Sequence, residues 1–298
     1  MGTPEFAVPS LERLLSGGHV IAGVFTKPDR PRNRGMKVGF SPVKEIAVSK
    51  GLHVFQPESL TDGTASGIIG GMDCDIIAVV AYGKILPRDM LFLPPMGCLN
   101  IHASLLPKYR GAAPVQWAIL NGETETGVTA MRISEELDAG DVYSNRKIPI
   151  AADETAGQVL NKLSLLGSEL LCETIDAISD GTAVPKPQIH SDATYAPPLG
   201  RELSPIDWSD SAVNIKRKVR GLNPWPVATA VIRGTVFKVF SVDIGEKKAD
   251  DICPGEVISR GSKEFQVACA DAVITINELQ AAGGKRMPAS EYLKGHTL

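Results

Sequence analysis

Gly97-Cys98-Leu99-Asn100-Ile101-His102-Ala103-Ser104-Leu105-Leu106-Pro107-Lys108-Tyr109-Arg110-Gly111 is the stretch of this 298-residue chain from which the fold and the chemistry are both read. Residues 97–102 form a short apolar run that gives way to a polar loop containing proline, the pattern of a strand followed by a break. Successive side chains of a strand leave opposite faces, so Asn100 and His102 leave the same one and can converge on a single atom. They also stand at the strand's carboxyl end, where open parallel sheets bind ligands. Further along, Asp138 lies in Leu137-Asp138-Ala139-Gly140-Asp141, a glycine-containing turn before another strand.

Outward from this stretch, apolar runs at 20–25, 75–81, 128–133 and 142–148 alternate with helical patterns, which predicts an α/β unit with a parallel sheet. Ser41 before Pro42 reads as an N-cap followed by proline at the first helical position, opening a helix that ends near Gly51. Residues 114–120 read as another helix. A long one, about 154–179, carries Val159, Leu163, Leu166, Leu170 and Ile175 at nearly helical spacing before Gly181 stops it. Pro185, Pro187, Pro197, Pro198 and Pro205 then bracket polar residues as a linker does. The expected division is a domain over 1–181, a linker over 182–204 and a second domain over 205–298. In the second, a helix at 209–221 precedes short strands at 228–233, 236–242, 255–259, 265–270 and 273–279, which suggests a small β-barrel of the oligonucleotide-binding type.

Composition narrows the function classes. With 43% hydrophobic and 22% charged residues the chain is globular in character, and it has no uninterrupted apolar run long enough for a membrane helix. Its five cysteines are odd in number, widely spaced and lack a C-x-x-C pair, which fits a reduced compartment and buried thiols. Its five histidines are scattered without H-E-x-x-H, so no metal is implied. A net charge of -3 gives no global sign of nucleic-acid binding. Residues 26–45, however, carry Lys27, Arg30, Arg32, Arg34, Lys37 and Lys44 against Asp29 and Glu45, in a stretch that reads as loop.

An amide donor, an imidazole and a carboxylate suit a reaction that builds an oxyanion and moves protons without a covalent enzyme intermediate. Asn100 would donate to the developing oxyanion, a contact whose loss typically costs about 10² to 10³ in rate. His102 would stabilise that oxyanion when protonated or assist proton transfer. Asp138 would hold a water that relays the proton from an attacking amine to a leaving nitrogen. Taken alone, Asn-x-His fits a polar strand end with a satisfied histidine better than it fits a catalytic pair. A hydrolase triad of Ser104, His102 and Asp138 lacks the G-x-S-x-G elbow, and there is no Walker loop or G-x-G-x-x-G.

Asn-x-His at 100–102, Ser-Leu-Leu-Pro at 104–107 and Leu-Asp-x-Gly at 137–140, in that order, resemble the folate-dependent formyltransferases. The resemblance implies a doubly wound, mostly parallel formyltransferase sheet with a C-terminal barrel, and Asn100, His102 and Asp138 as the catalytic trio. It places Ser104, Leu105, Leu106 and Pro107 in the loop that shapes the folate pocket, with 10-formyltetrahydrofolate as donor. No metal, membrane or protein partner is implied, and the cytoplasm is the expected location.

The acceptor varies within the family. Segments 2–7, 26–31, 81–87, 110–114, 223–226 and 284–287 are similar to members that formylate methionyl initiator tRNA for translation initiation. Members that formylate UDP-aminosugars share other motifs but lack the basic insertion corresponding to Lys27 through Lys44. A formyltetrahydrofolate hydrolase or a non-catalytic RNA-binding protein on the same scaffold are the remaining alternatives. By the resemblance, Arg34 recognises the substrate. Lys37, together with Lys216, Arg217, Lys218 and Arg220 on the second domain's helix and Lys285 and Arg286 beyond, are further tRNA candidates, while Trp225 is assigned to domain packing. The family also has a short hydrophobic strand just before Gly-Thr-Pro. Here Met1 precedes Gly2-Thr3-Pro4, so that first strand is missing and Met1 is expected to match an internal residue.

Overall fold

The computed structural model describes residues 1–32, 37–258 and 264–296. In chain order its strands are β1 (Val24–Phe25), β2 (Arg30–Arg32), β3 (Lys37–Gly39), β4 (Val54–Phe55), β5 (Ile77–Val80), β6 (Cys98–His102), β7 (Arg110–Gly111), β8 (Glu125–Arg132), β9 (Val142–Pro149), β10 (Tyr195–Ala196), β11 (Ala228–Ile232), β12 (Thr235–Lys247), β13 (Phe265–Ala268), β14 (Ala272–Ala281) and β15 (Met287–Pro288). The helices are α1 (Val8–Ser16), α2 (Pro42–Ser49), α3 (Thr64–Gly70), α4 (Arg88–Leu91), α5 (Pro114–Leu120), α6 (Ala156–Ser179), α7 (Ala212–Gly221) and α8 (Ala289–Gly295). Two compact units share them. The first is built from 1–114, 125–148 and 160–196, the second from 115–124, 149–159 and 197–298.

In the first unit a sheet runs in the order β5-β6-β8-β9. β5 and β6 are parallel, with Ile77 opposite Cys98 and Val80 opposite Ile101. β8 departs from the parallel rule and runs antiparallel to β6, pairing Asn100 with Met131 and His102 with Thr129. β1 and β4 form a separate parallel pair. α6 packs closely on this unit: a Cβ on its Gly167 would lie 2.8 Å from the Ile101 side chain, so the helix presents its backbone to the face of β6 that carries Ile101. Ser41 caps α2 as expected, accepting from the Lys44 amide at 3.2 Å, with Pro42 inside the first turn. Basic residues 30–32 and 37–39, read as loop, instead pair as an antiparallel hairpin. Local composition hid this, because proline and glycine mark both loops and tight hairpins.

The run at 20–25 is strand only at Val24–Phe25, and Val20 is 94% exposed. Hydrogen bonding explains the contraction: Val24 N donates to His53 O at 2.8 Å, whereas residues 20–23 have no ladder partner among the described residues. Met1 and Gly2 bridge β1 and β5, with Gly2 N donating to Phe25 O at 3.0 Å and Val80 N to Met1 O at 2.9 Å. Met1 N is part-buried and donates to Ala78 O at 2.6 Å. Beside it a cavity of about 560 Å³ runs between 18–25 and 72–78, closed by Leu14, Leu171 and Ile175.

The second unit contains an antiparallel sheet ordered β11-β12-β14-β13, with β15 on β14. β12 is bulged where it crosses β14 after Val239, Ser241 and Ile244, and such bulges bend a sheet around its own core. Inside the bend, Phe237 meets Phe265 edge-on at 5.7 Å and Tyr292 at 5.3 Å, among Val239, Ile274 and Leu279. This is the barrel-like unit that the strand spacing predicts. α7 lies against it through Ala212, Ile215 and Val219.

Candidate active site

The site is assembled on β6. Leu99 and Ile101 are buried on the face toward α6, which leaves Asn100 and His102 on the other face at the strand's carboxyl end. Asn100 is half-buried, and its side-chain amide makes no hydrogen bond among the described residues. His102 is buried and its Nε2 lies 2.8 Å from the Tyr109 carbonyl. A carbonyl only accepts, so Nε2 carries the proton and Nδ1 is the nitrogen turned to Asp138, 3.7 Å from Oδ2.

Two backbone devices bring Asp138 there. Asp138 itself has φ +48°, a left-handed conformation that side chains other than glycine's adopt rarely. Its Oδ2 accepts from the Gly111 amide at 2.8 Å. Gly140 closes the turn, and no other residue fits: an added Cβ would lie 1.8 Å from the Arg132 carbonyl oxygen. Gly111 is equally constrained, with φ +117° and the Ala196 carbonyl oxygen 2.7 Å from where a Cβ would sit.

The loop after His102 is fixed by a residue that sequence reasoning missed. Thr129, fully buried on β8 opposite His102, donates to Ser104 O at 2.6 Å and accepts from Leu106 N at 3.2 Å. Ser104 is buried and its hydroxyl donates to Lys108 O at 2.7 Å, so it shapes the loop from within. Leu106 is also buried, Leu105 and Pro107 half-buried. Also missed was the contribution of 186–196, read as linker. Tyr109 N donates to Thr194 Oγ1 at 2.9 Å, Arg110 N to Thr194 O at 2.8 Å, and β10 pairs in parallel with β7. Gln188 and Arg110 are buried there in contact with each other. The one available signal was Gln188 itself, a lone amide in a proline-rich stretch, and prolines outweighed it.

The tRNA candidates fall into three groups. Arg34 lies outside the described residues, and Lys37 is on β3. Lys216, Arg217, Lys218, Arg220 and Arg286 are engaged inside the second unit. Lys216 pairs with Asp153 at 2.5 Å, Arg217 donates to Asn214 at 3.2 Å, and Lys218 donates to Pro205 O at 2.7 Å. Arg220 donates to the Ala151 and Glu154 carbonyls at 3.1 and 3.0 Å. Arg286 forks onto Glu278 at 2.7 and 2.6 Å and lies over the Phe240 ring. Lys216, Arg220 and Arg286 line one polar cavity of about 420 Å³ that Asp153, Asp243 and Glu278 also line. Lys285 is exposed and has no partner among the described residues. Trp225, expected in domain packing, is 53% exposed: the prolines on either side set the chain's path without burying the ring.

Comparison with known proteins gives the family. Residues 1–175 match the model of the formyl transferase family and residues 198–297 that of the formyl transferase C-terminal domain. The methionyl-tRNA formyltransferase of Alkaliphilus oremlandii is 45% identical over all of this chain and 96% of its own length. That of Trichlorobacter lovleyi is 45% identical over all of this chain and 93% of its own length. Among solved structures, the N-formyltransferase of Helicobacter canadensis, in complex with folinic acid and dTDP-3-aminofucose, superposes with a TM-score of 0.65 at 20% identity, covering 92% of this chain and 97% of that one. At that identity the likeness speaks for the fold alone. The fold and the two family matches define a formyl-group transferase. Within that class, the chain belongs to the methionyl-tRNA formyltransferase family.

Proposed function

We propose that this chain transfers the formyl group of 10-formyltetrahydrofolate to the amino group of methionine carried by initiator tRNA, using Asn100, His102 and Asp138. The observation that carries the site assignment is Asn100: a half-buried amide at the carboxyl end of β6, on the same face as His102 and with no side-chain hydrogen-bond partner among the described residues. That donor set suits a formyl donor, which when bound supplies an electrophilic carbonyl carbon attached to a nitrogen leaving group. Asn100 donates to the formyl oxygen as charge builds there. His102, with Nε2–H held by the Tyr109 carbonyl, keeps Nδ1 beside Asp138. Asp138 Oδ2, already an acceptor from Gly111, has lone pairs left to take the proton the attacking amine must lose and pass it, through water, to the departing nitrogen. One N–C bond forms, one breaks, and one proton crosses.

Ser104 to Pro107 border the folate in this reading, and residues 205–298 with the basic stretch at 26–45 hold the tRNA. The aminosugar nucleotides are the rival acceptors, and the methionyl-tRNA relatives, similar over the whole chain, favour tRNA. In this reading the reaction is cytoplasmic. The test is formyl transfer to methionyl initiator tRNA run beside transfer to an aminosugar nucleotide. Transfer to tRNA, reduced about 10² to 10³-fold in kcat by Asn100→Ala, is expected. Transfer to the sugar alone would overturn the acceptor, and an undiminished Asn100→Ala would overturn the site.

A further inference from the structure

We infer that Gln188 is a positioning residue for the transfer reaction: braced by Arg110, its amide holds the turn that presents Asp138 to His102. The inference rests on the reading of Asp138 as catalytic. Gln188 Oε1 accepts from Arg110 Nε at 3.2 Å and Nη2 at 2.8 Å, while Nε2 donates to Asp138 O at 2.9 Å and Gly140 O at 2.7 Å. A guanidinium only donates and a carbonyl only accepts, so the amide has one orientation that satisfies all four contacts, and it is the one found. Gln188 is 7% exposed and Arg110 1%, which leaves neither group to water.

These contacts close a ring. Arg110 holds Gln188, Gln188 holds the main chain of Asp138, and the Asp138 carboxylate accepts from the amide of Gly111, the residue after Arg110. The distance between Asp138 Oδ2 and His102 Nδ1 is therefore set by a circuit whose members have no slack of their own. The Arg110 charge is met by Glu136 at 3.5 Å and by His190 Nδ1 at 3.4 Å, so it is placed rather than free to seek another acceptor. The segment bearing Gln188 is anchored on both sides: Lys186 and Val142 exchange two backbone bonds of 2.8 Å, and Tyr195 to Ala196 pair with Arg110 to Gly111. Asp138 also has a left-handed backbone, a sparsely populated conformation that the contacts around it help to hold.

Two variants separate positioning from general support. Gln188→Met keeps the side chain's length and removes every polar contact; Gln188→Glu keeps oxygens for Arg110 and removes the two donors. Each is expected to fold and to lose roughly 10²-fold in kcat, as a misplaced reacting group does, with KM for methionyl initiator tRNA and for 10-formyltetrahydrofolate within about twofold of the parent. The decisive readout is the double-mutant cycle. In an Asp138→Ala background, where no carboxylate remains to be aimed, Gln188→Met is expected to cost less than about threefold more. An equal loss in both backgrounds, or a rise in KM with kcat unchanged, overturns the role. A damaging Asp138→Ala beside a harmless Gln188→Met and Gln188→Glu also overturns it, leaving the site reading intact. A harmless Asp138→Ala overturns the site reading and this role together.

Discussion

Residues 184–196 and helix α7 use their polar groups in opposite ways from what their compositions suggest. The first segment is proline-rich and nearly without regular structure, yet Gln188 and Thr194 reach inward to the turns that carry Asp138 and Tyr109. The second presents four bases in five residues, Lys216 to Arg220, and spends them on its own unit, on Asp153, on Asn214 and on the carbonyls of Ala151, Glu154 and Pro205. Composition tells which groups a segment owns. What those groups do depends on which carbonyls the fold leaves unpaired nearby, because a cation in reach of an orphan carbonyl satisfies it.

The comparison breaks most sharply at Gly140. A methyl there meets the Arg132 oxygen, so Gly140→Ala must move the turn that Gln188 grips. The expected outcome is a loss of formyl transfer exceeding about 10²-fold, of the order that a misplaced catalytic group causes, in a protein whose second unit still unfolds cooperatively. Near-parental turnover would show that the turn has more freedom than its contacts allow.

Arg220 sharpens the reading of α7. Arg220→Met withdraws a donor from the Ala151 and Glu154 carbonyls, which lie ahead of α6, and should lower the unfolding free energy by about 1–2 kcal/mol. Because the guanidinium is occupied within its own unit, KM for tRNA should stay within about twofold. A large rise in KM with unchanged stability would return Arg220 to the nucleic-acid contacts.

Much of the scaffold was legible because its signals are local. Ser41-Pro42 marks a helix start through one side-chain bond and one fixed φ, and the 24-residue α6 shows its buried stripe at Val159, Leu163, Leu170 and Ile175. Asn100 and His102 could be placed on one face by the two-residue period of a strand. The ring through Gln188 could not, since it joins residues 78 apart in sequence and its logic is the count of unpaired carbonyls in three dimensions. Residues 20–23 failed for the same kind of reason: an apolar run is strand only where a neighbour offers a ladder.

Lys285 carries the smallest expected effect and the cleanest contrast with α7. It stands in the turn after β14, exposed and without a partner among the described residues, while the adjacent Arg286 is committed to Glu278. Nothing in the fold is lost with it, so Lys285→Ala should change stability by less than about 0.5 kcal/mol. If the side chain meets a tRNA phosphate, its loss raises KM a few-fold and lowers the slope of log binding constant against log salt by about 1. Arg286→Ala should do the reverse, lowering stability through Glu278 and Phe240 while leaving the salt slope alone. Measured together, an unchanged slope for both would move the nucleic-acid surface away from this turn, and a reduced slope for both would show that the Glu278 pair opens when tRNA binds.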